Sequence, residues 1–518
     1  MPTHVHNVTK KWTRLDQVYI SENTLDTLIS CETRCNDRGL NTDHLPIVTK
    51  LDVALGRTPE SASNNFRNAD WEKFREHLQG RMAHFGIPTR IRNQVSLNKE
   101  CERLTAVLQE TIKAIIPTTD VCPKSKRWWT KEIGELRAKY RKIGRKVGRY
   151  KDQPEHKIHV EHKEAHRRYD KAIKHSKRHH RRDWLEKAME PDLWTADKYI
   201  AAPASDGGKT RIPTLRLQVD GRESMASSNQ DKSKMLAETF FPGKPTGTDN
   251  IYEQYGYPTP ICKTHRISRE QIRRQLKCLK PYKAPRPDRI PNIVLMQCAD
   301  LLTDRLWYIY NAILEKEIYY EPWKTFTMVV LRKPGKPCYD TPKVYRPIAL
   351  LNTLGKLMTA AVAEQLTYYT EKHGLLPTTH FRGRPGRMTT DALHMLTYRI
   401  KDAWRKQQVA SVLFLDIEGA FPNAVNQRLE HNLKTRKVPS KLVNFTSNLL
   451  KERRTTLKFD DYTSDKITLD NGIGQGDPLS MVLYQYYNAD ILDIPTNASE
   501  TAAAYVDDAI VTIQRIVA

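Results

Sequence analysis

The chain has no apolar run long enough to cross a bilayer. Runs such as Val412–Leu415 and Met328–Leu331 are four residues long, against the ~20 a spanning helix needs. The first residues, MPTHVHNVTKKW, hold no apolar signal core. No membrane partner is therefore expected. Cysteine is sparse, with 8 in 518 residues and no pair spaced CxxC, so neither a zinc ribbon nor a zinc knuckle is written here. Cys31 and Cys35, with His44 nearby, form the only cluster, and scattered reduced thiols are the plainer reading. Acid is scarce relative to base. The 60 Asp and Glu face 85 Lys and Arg, leaving a net charge of +25. Such an excess makes a polyanion the expected partner. The length implies more than one domain, and the composition excludes collagen, a disulfide miniprotein and a disordered acidic chain.

What is present is unevenly placed. Residues 121–190 carry 23 Lys and Arg against 10 Asp and Glu, a net of +13 in 70 positions. The segment is poor in Gly and Pro and reads as long helix with few apolar residues, a solvated arm rather than core. It is either a charged face without a ligand or a phosphate-contacting surface with Trp128, Trp129 and Trp184 available to stack. A small-residue, Gly-containing turn segment at about 200–215 and a loop over roughly 241–260 separate it from the C-terminal half of the chain. Beyond Ser268 the apolar spacing predicts helices near 268–279, 301–317, 353–373, 388–406, 426–434, 440–452 and 478–492. Short β-rich runs sit at 326–332, 409–416, 455–460 and 502–513. Helices with non-alternating strands indicate an α+β domain.

The chemistry lies in two acidic runs. SVLFLDIEGAF places Asp416 at the end of an apolar strand, with Val412 to Leu415 expected to be buried on both faces. AAAYVDDAIVTI reads as two β segments flanking Val506-Asp507-Asp508, a tight hairpin with acids at its tip. Adjacent acids repel, and a divalent cation relieves the repulsion. A lone Asp-Asp pair is a turn or a helix cap. Three carboxylates facing one cavity can hold two Mg²⁺ about 3.5–4 Å apart and clamp both oxygens of a phosphoryl transfer. Between these runs, NGIGQGDPLS has Gly472, Gly474 and Gly476, read as a backbone that approaches a ligand closely, and Pro478 opening the next helix.

With these runs in this order, the chain resembles the reverse transcriptases of non-LTR retrotransposons, most like those of fungal genomes. DIEGAF resembles the family's motif A, GIGQGDPLS motif B, and YVDD motif C. KAPRPDRIPNIVL, LRKPGK, VYRPIALLNTLGKL and FRGRPGRMTTDAL resemble its upstream segments, so the likeness covers about 268–518. The resemblance implies a right-hand polymerase, with fingers and an antiparallel palm sheet preceded by the basic arm. The thumb is expected to be missing, because the chain stops ten residues after Asp508. It implies Asp416, Asp507 and Asp508 as catalytic metal ligands for two Mg²⁺, with Mn²⁺ as substitute. Phe421 would exclude a ribose 2′-hydroxyl, which argues against a viral RNA-dependent RNA polymerase. Arg346 and Lys333 would meet the triphosphate, as an Arg fork and a Lys point charge do; for Arg346 a surface ion pair is the alternative. Gln475 and Gly476 would line the template–nucleotide pocket. The implied activity is RNA-directed DNA polymerisation, with an RNA template, a DNA 3′-hydroxyl primer or target, deoxynucleoside triphosphates and nuclear action. The alternative is a catalytically silent relic that only binds nucleic acid.

WTRLDQVYIS and NTDHLPIV (residues 12–21 and 41–48) resemble the last two motifs of the apurinic-type endonuclease domain that precedes many such polymerases. Asp43 and His44 would be the orienting acid and base, and Asp16 the acid of the earlier motif. A plain strand, turn and cap is the alternative. No endonuclease activity is expected from so short a piece. The expected divisions are 1–55 as this remnant, 56–205 as the helical linker arm, 206–265 as a loop-rich connector and 266–518 as fingers and palm. Arg286, Arg289 and Arg382 stand where the family has Gly, and Gly474 where it has Pro. An Arg forced into a glycine conformation costs one to several kcal/mol. Three such changes fit a decaying genomic copy.

Overall fold

A computed structural model describes residues 3–5, 11–20, 28–34, 43–51, 63–119 apart from 85 and 87–90, 128–186 apart from 151, 152 and 154, 212–244 apart from 220 and 221, and 255–516 apart from 284–286, 461, 496 and 498. Cys35 and Arg286 lie outside the described residues. The chain forms two compact units, residues 1–64 with 118–206, and residues 65–117 with 207–518.

In the first unit, β1 (His4–Val5) pairs with β2 (Trp12–Thr13), and β3 (Leu28–Thr33) with β4 (Ile47–Leu51), both antiparallel. The basic segment folds as two helices, α1 (Lys131–Val147) and α2 (Lys157–Glu186). They run antiparallel, because Gly144 meets His162 and Tyr140 meets both His162 and Tyr169. The sparse apolar residues of the arm predict no core, but it has a small one. Ile133, Tyr140, Ala165 and Tyr169 are buried there, with Trp128 and Trp129 packed against them. Tyr140, Tyr169 and the two Trp rings bury enough area to join two otherwise charged helices.

Two larger sheets stand out among the described residues of the second unit. In the first, β7 (Thr325–Arg332) lies between β8 (Tyr345–Leu350), antiparallel, and β10 (Arg453–Phe459), parallel. β11 (Tyr462–Thr463) and β12 (Ile467–Leu469) add to β10. Phe326, Met328 and Val330 point from β7 into a core shared with Leu457 and Phe459, the period-two pattern of a strand covered on one face. The segment expected as a loop-rich connector supplies that cover, with a hairpin, β5 (Leu215–Val219) and β6 (Arg222–Ala226), and the helix Asn229–Phe240. The second sheet is antiparallel, with β9 (Gln408–Asp416) outermost, then β14 (Asp508–Ile516), then β13 (Glu500–Tyr505).

Seven helices fall where the apolar spacing puts them: α3 (Arg269–Lys277), α4 (Ala299–Lys316), α5 (Thr353–His373), α6 (Thr389–Arg405), α7 (Asn426–Thr435), α8 (Ser440–Leu450) and α9 (Pro478–Asn488). Ser268 caps α3 by accepting from the Gln271 N–H at 3.1 Å, and Gly374, left-handed at φ 61°, ends α5. The arm's expected boundaries at 56 and 205 differ from the contacts. Helices Trp71–Ala83 and Gln94–Ile115 belong to the second unit, where Phe74, Leu78, Leu97 and Leu108 join the core formed by α4, α5, α8 and α9. A buried ion pair between Glu100 and Arg305, with Arg305 also donating to the Gly86 carbonyl at 2.9 Å, ties that segment to α4.

Candidate active site

The register of the second sheet sets Asp416 directly opposite Asp508. Directly paired residues of an antiparallel sheet hold their Cβ atoms about 5 Å apart on one face. Tyr505 also pairs with Asp508, so Val506 and Asp507 make a two-residue turn. The Ile417 N–H, one residue past β9, donates to the Asp507 carbonyl at 3.2 Å. The three acids singled out from sequence are therefore brought to one end of one small sheet. Burial, then the charges of Asp507 and Asp416, push the Asp508 carboxyl above its ordinary value, while Arg382 acts the other way.

The strand expected to be buried on both faces is not. Leu413 is 55% exposed and Phe414 67%. β9 is an edge strand, with β14 as its hydrogen-bonded neighbour on one side, and an edge keeps part of both faces open.

The turn is held under strain. Val506 has φ 67°, a left-handed conformation that costs a β-branched residue of order 1–3 kcal/mol. Its side chain is 3% exposed in the main core, a gain of similar size. Asn488, at the end of α9, donates from Nδ2 to the Val506 carbonyl at 2.5 Å. Its Oδ1 accepts from His380 Nε2 at 3.0 Å. His380 is fully buried, and burial first pulls its imidazole down to about 4, so the ring is neutral at physiological pH. The backbone either side of it is pinned, with Phe381 donating to Ala504 at 3.0 Å and Ala504 to Thr379 at 3.1 Å. No sequence pattern marks this clamp, because its two side chains lie 108 positions apart.

The loop after Asp416 is sewn to the Gly-rich turn. The N–H of Ile473 donates to Phe421 at 2.8 Å and that of Gly472 to Ala424 at 2.9 Å. Two of the glycines read as freeing the backbone for a ligand also pack closely against the chain itself. A Cβ on Gly472 (φ 83°) would come 2.6 Å from the Pro422 carbonyl oxygen, and one on Gly476 (φ 109°) 3.1 Å from that of Ala349. Arg453, 5% exposed, holds the turn from behind, donating from Nη2 to the carbonyls of Asn471 at 2.9 Å and Gly472 at 2.5 Å. The Phe421 ring stacks on Tyr484 of α9 with centroids 5.0 Å apart.

Gln475 accepts from the Ala349 N–H at 3.2 Å, so Gln475 and Gly476 dock on β8, the strand that carries Arg346. Lys333 follows β7, and its N–H donates to Val344 at 2.8 Å. Burial, then the neighbouring charges of Arg346 and Lys336, lower its ammonium below the usual value, and Glu418 opposes them. Glu418, two residues past Asp416, pairs with Lys343 at 2.8 Å. The expected cations thus gather at one end of the β7–β8 hairpin, where Glu418 pairs with Lys343 and its charge acts on Lys333.

Among the three Arg-for-Gly positions, Arg289 takes the left-handed φ of 54°. Arg382 takes no such φ; its neighbour Gly383, at φ 79°, does. The strain expected at 382 is absent, and its guanidinium lies 5.3 Å from the Tyr505 ring centroid instead.

In the first unit, His44 donates from Nδ1 to Asp16 Oδ2 at 2.7 Å. His44 Nδ1 thus pairs with Asp16, while the adjacent Asp43, expected as the orienting acid, lies 3.9 Å from His44 Nε2 and engages His4 Nε2 at 3.2 Å. Cys31 shares a hydrogen bond with Thr49 across β3 and β4. Trp128 and Trp129, expected to be available for stacking, are spent inside the helical pair, with Lys177 and Arg137 over their rings at 4.8 and 5.7 Å. Trp184, 36% exposed, faces outward.

Residues 331–517 match the family model of reverse transcriptase (RNA-dependent DNA polymerase). The chain is 24% identical over 469 residues to a probable RNA-directed DNA polymerase from transposon BS of Drosophila melanogaster, covering 87% of this chain and 50% of that protein. It is 23% identical over 498 residues to the probable polymerase from transposon X-element of the same fly, covering 91% and 52%. It is 23% identical over 465 residues to the RNA-directed DNA polymerase from mobile element jockey of Drosophila funebris, covering 87% and 49%. The chain spans about half the length of the curated relatives it matches.

Proposed function

We propose, from the premise that residues 331–517 carry a reverse transcriptase domain, that this chain is the RNA-directed DNA polymerase of a non-LTR retrotransposon, adding deoxynucleotides to a DNA 3′-hydroxyl on an RNA template. The observation that carries this reading is the pairing of Asp416 with Asp508 beside the two-residue turn holding Asp507. Three mutually repelling oxygen donors suit hard divalent cations, and Asp416, Asp507 and Asp508 would hold two Mg²⁺, with Mn²⁺ as substitute. Such ions, when bound, lower the pKa of a primer hydroxyl and neutralise the triphosphate. The chain's own residues do the rest. Lys333 and Arg346 bind triphosphate oxygens as point charge and fork. Phe421, kept rigid by Tyr484, leaves no room for a ribose 2′-hydroxyl. Gln475 and Gly476, fixed on β8, place the template–nucleotide pair.

The rest of the reading rests on fewer contacts. The α1–α2 pair offers nucleic acid a surface with an excess of Lys and Arg over Asp and Glu, with Trp184 at its far end. Residues 1–55 belong to an apurinic-type endonuclease module, supported by the Asp16–His44 contact. Action on chromosomal DNA places the protein in the nucleus. The test is primer extension on poly(rA)–oligo(dT) by the purified chain and by Asp416→Asn. Loss of extension in the variant supports the assignment, and survival of extension overturns the acid site. Wild type that binds RNA with a steep salt dependence but never extends would mark a silent relic.

A further inference from the structure

The geometry points to a transition-metal site in the first unit, built from His4, Asp43 and His44 and suited to Zn²⁺. It is independent of the polymerase reading. Among the described residues, this is the group whose ligand atoms all lie within 4.8 Å of one another. Residue 4 sits opposite residue 44 in an isolated antiparallel bridge, reinforced by the Leu45 N–H donating to the Thr3 carbonyl at 2.6 Å. Backbone pairing therefore brings the two imidazoles together, with ring centroids 5.0 Å apart.

The donor spacing fits a small cation. Tetrahedral zinc with bonds of ~2.0–2.1 Å places its ligand atoms roughly 3.3 Å apart. His4 Nε2 is 3.2 Å from Asp43 Oδ2, and His44 Nε2 is 3.9 Å from Asp43 Oδ1. Two imidazoles and one carboxylate are the donor set of zinc and its neighbours rather than of magnesium. Three protein ligands leave a position for solvent. Asp43 and His44 are 36% and 45% exposed, which gives solvent its path.

The outer partners are in place as well. A ligating imidazole ordinarily donates its other nitrogen to an oxygen that fixes ring and tautomer. His44 Nδ1 donates to Asp16 Oδ2 at 2.7 Å, and His4 Nδ1 lies 3.0 Å from Thr13 Oγ1. The Thr13 hydroxyl can donate or accept. When His4 presents Nε2 to a metal instead of donating it to Asp43, Nδ1–H donates to Thr13 and the ring stays held. Asp16 is itself fixed, its backbone N–H donating to Thr3 Oγ1 at 3.0 Å.

The experiment uses the full chain, stripped with chelator and titrated with Co²⁺ in visible spectroscopy, then with ZnCl₂. One equivalent of Co²⁺ should raise the intense absorption of a four-coordinate nitrogen–oxygen site, and Zn²⁺ should bleach it. His4→Gln and His44→Gln should remove that absorption. Asp16→Asn, which leaves all three ligands, should weaken binding by about 10–100-fold. Cys31→Ser and the pair Asp416→Asn with Asp507→Asn should leave the signal unchanged, and circular dichroism confirms that each variant is folded. Absence of stoichiometric Co²⁺ binding by wild type overturns the inference. So does binding that survives both histidine changes, or a sulfur-to-cobalt charge-transfer band. If primer extension fails while the cobalt site persists, the polymerase reading falls and this one stands.

Discussion

The molecule contains two clusters suited to cations, and they are stabilised in opposite ways. At His4, Asp43 and His44 the members attract one another: His4 Nε2 engages Asp43 at 3.2 Å and His44 Nε2 lies 3.9 Å from the same carboxylate, while Asp16 holds His44 from outside at 2.7 Å, so the cluster closes with no ion. At Asp416, Asp507 and Asp508 every member is an acid. Nothing in the side chains draws them together, and they fall outside the 4.8 Å spacing that the first group meets. What holds them is backbone, namely strand register, a two-residue turn and the clamp on Val506. A group of like charges needs a scaffold that tolerates repulsion, and the strained Val506 is part of that scaffold.

The sharpest way to break the comparison is Asp416→Asn. It keeps shape and register and removes one charge. Primer extension should fall by about 100-fold or more, on the several kcal/mol that a metal ligand supplies, while the Co²⁺ signal of the first unit stays. Asn488→Leu comes next. It leaves the Val506 carbonyl and His380 without their buried partner, and thermal denaturation should show a loss of about 1–3 kcal/mol with extension reduced in step.

A third test uses pH. The Asp508 carboxyl is raised in the folded state, so folding disfavours its ionised form relative to the unfolded chain. Its penalty is absent below the ordinary carboxylate range and grows as pH rises through the raised value. Added Mg²⁺ should therefore raise the melting temperature at neutral pH and lose that effect in acid. Asp16 and Asp43 are lowered, Asp16 chiefly by His44 and Asp43 chiefly by its own backbone N–H. Their contribution is present at neutral pH and is lost as pH falls through the lowered values. Acid relieves one cluster and loosens the other, and melting curves of wild type, Asp508→Asn and Asp16→Asn across pH separate the two. The smallest expected effect is at Arg382, whose charge partly offsets Asp508. Arg382→Gly should shift stability by less than ~1 kcal/mol while making extension reach half-saturation at a lower Mg²⁺ concentration.

The meeting of the three acids at one sheet end is legible because strand and turn are local. Asp416 ends an apolar run, and Asp507 and Asp508 interrupt another, so strand and turn follow from a few consecutive residues. The helices from Ser268 onward were legible for the same reason. The clamp was not, because His380 and Asn488 meet only through the fold, and each alone reads as an ordinary loop or helix residue. His4 was missed likewise: a histidine near the start gains meaning only when residue 44 is laid against it. The expected arm takes in helices Trp71–Ala83 and Gln94–Ile115, although Leu97, Cys101, Leu104 and Leu108 recur at three and four and mark a core face. Exposure of β9 was invisible in principle, since Val412–Leu415 is equally apolar in the middle of a sheet or at its rim.

That rim position has a practical consequence. Among the described residues, the strand carrying Asp416 pairs on one side only, beside the exposed Leu413 and Phe414, and a second molecule can add a strand on the other. The isolated chain should self-associate as its concentration rises, and dilute handling with mild detergent should keep it dispersed. Light scattering against concentration would register this before any assay of catalysis.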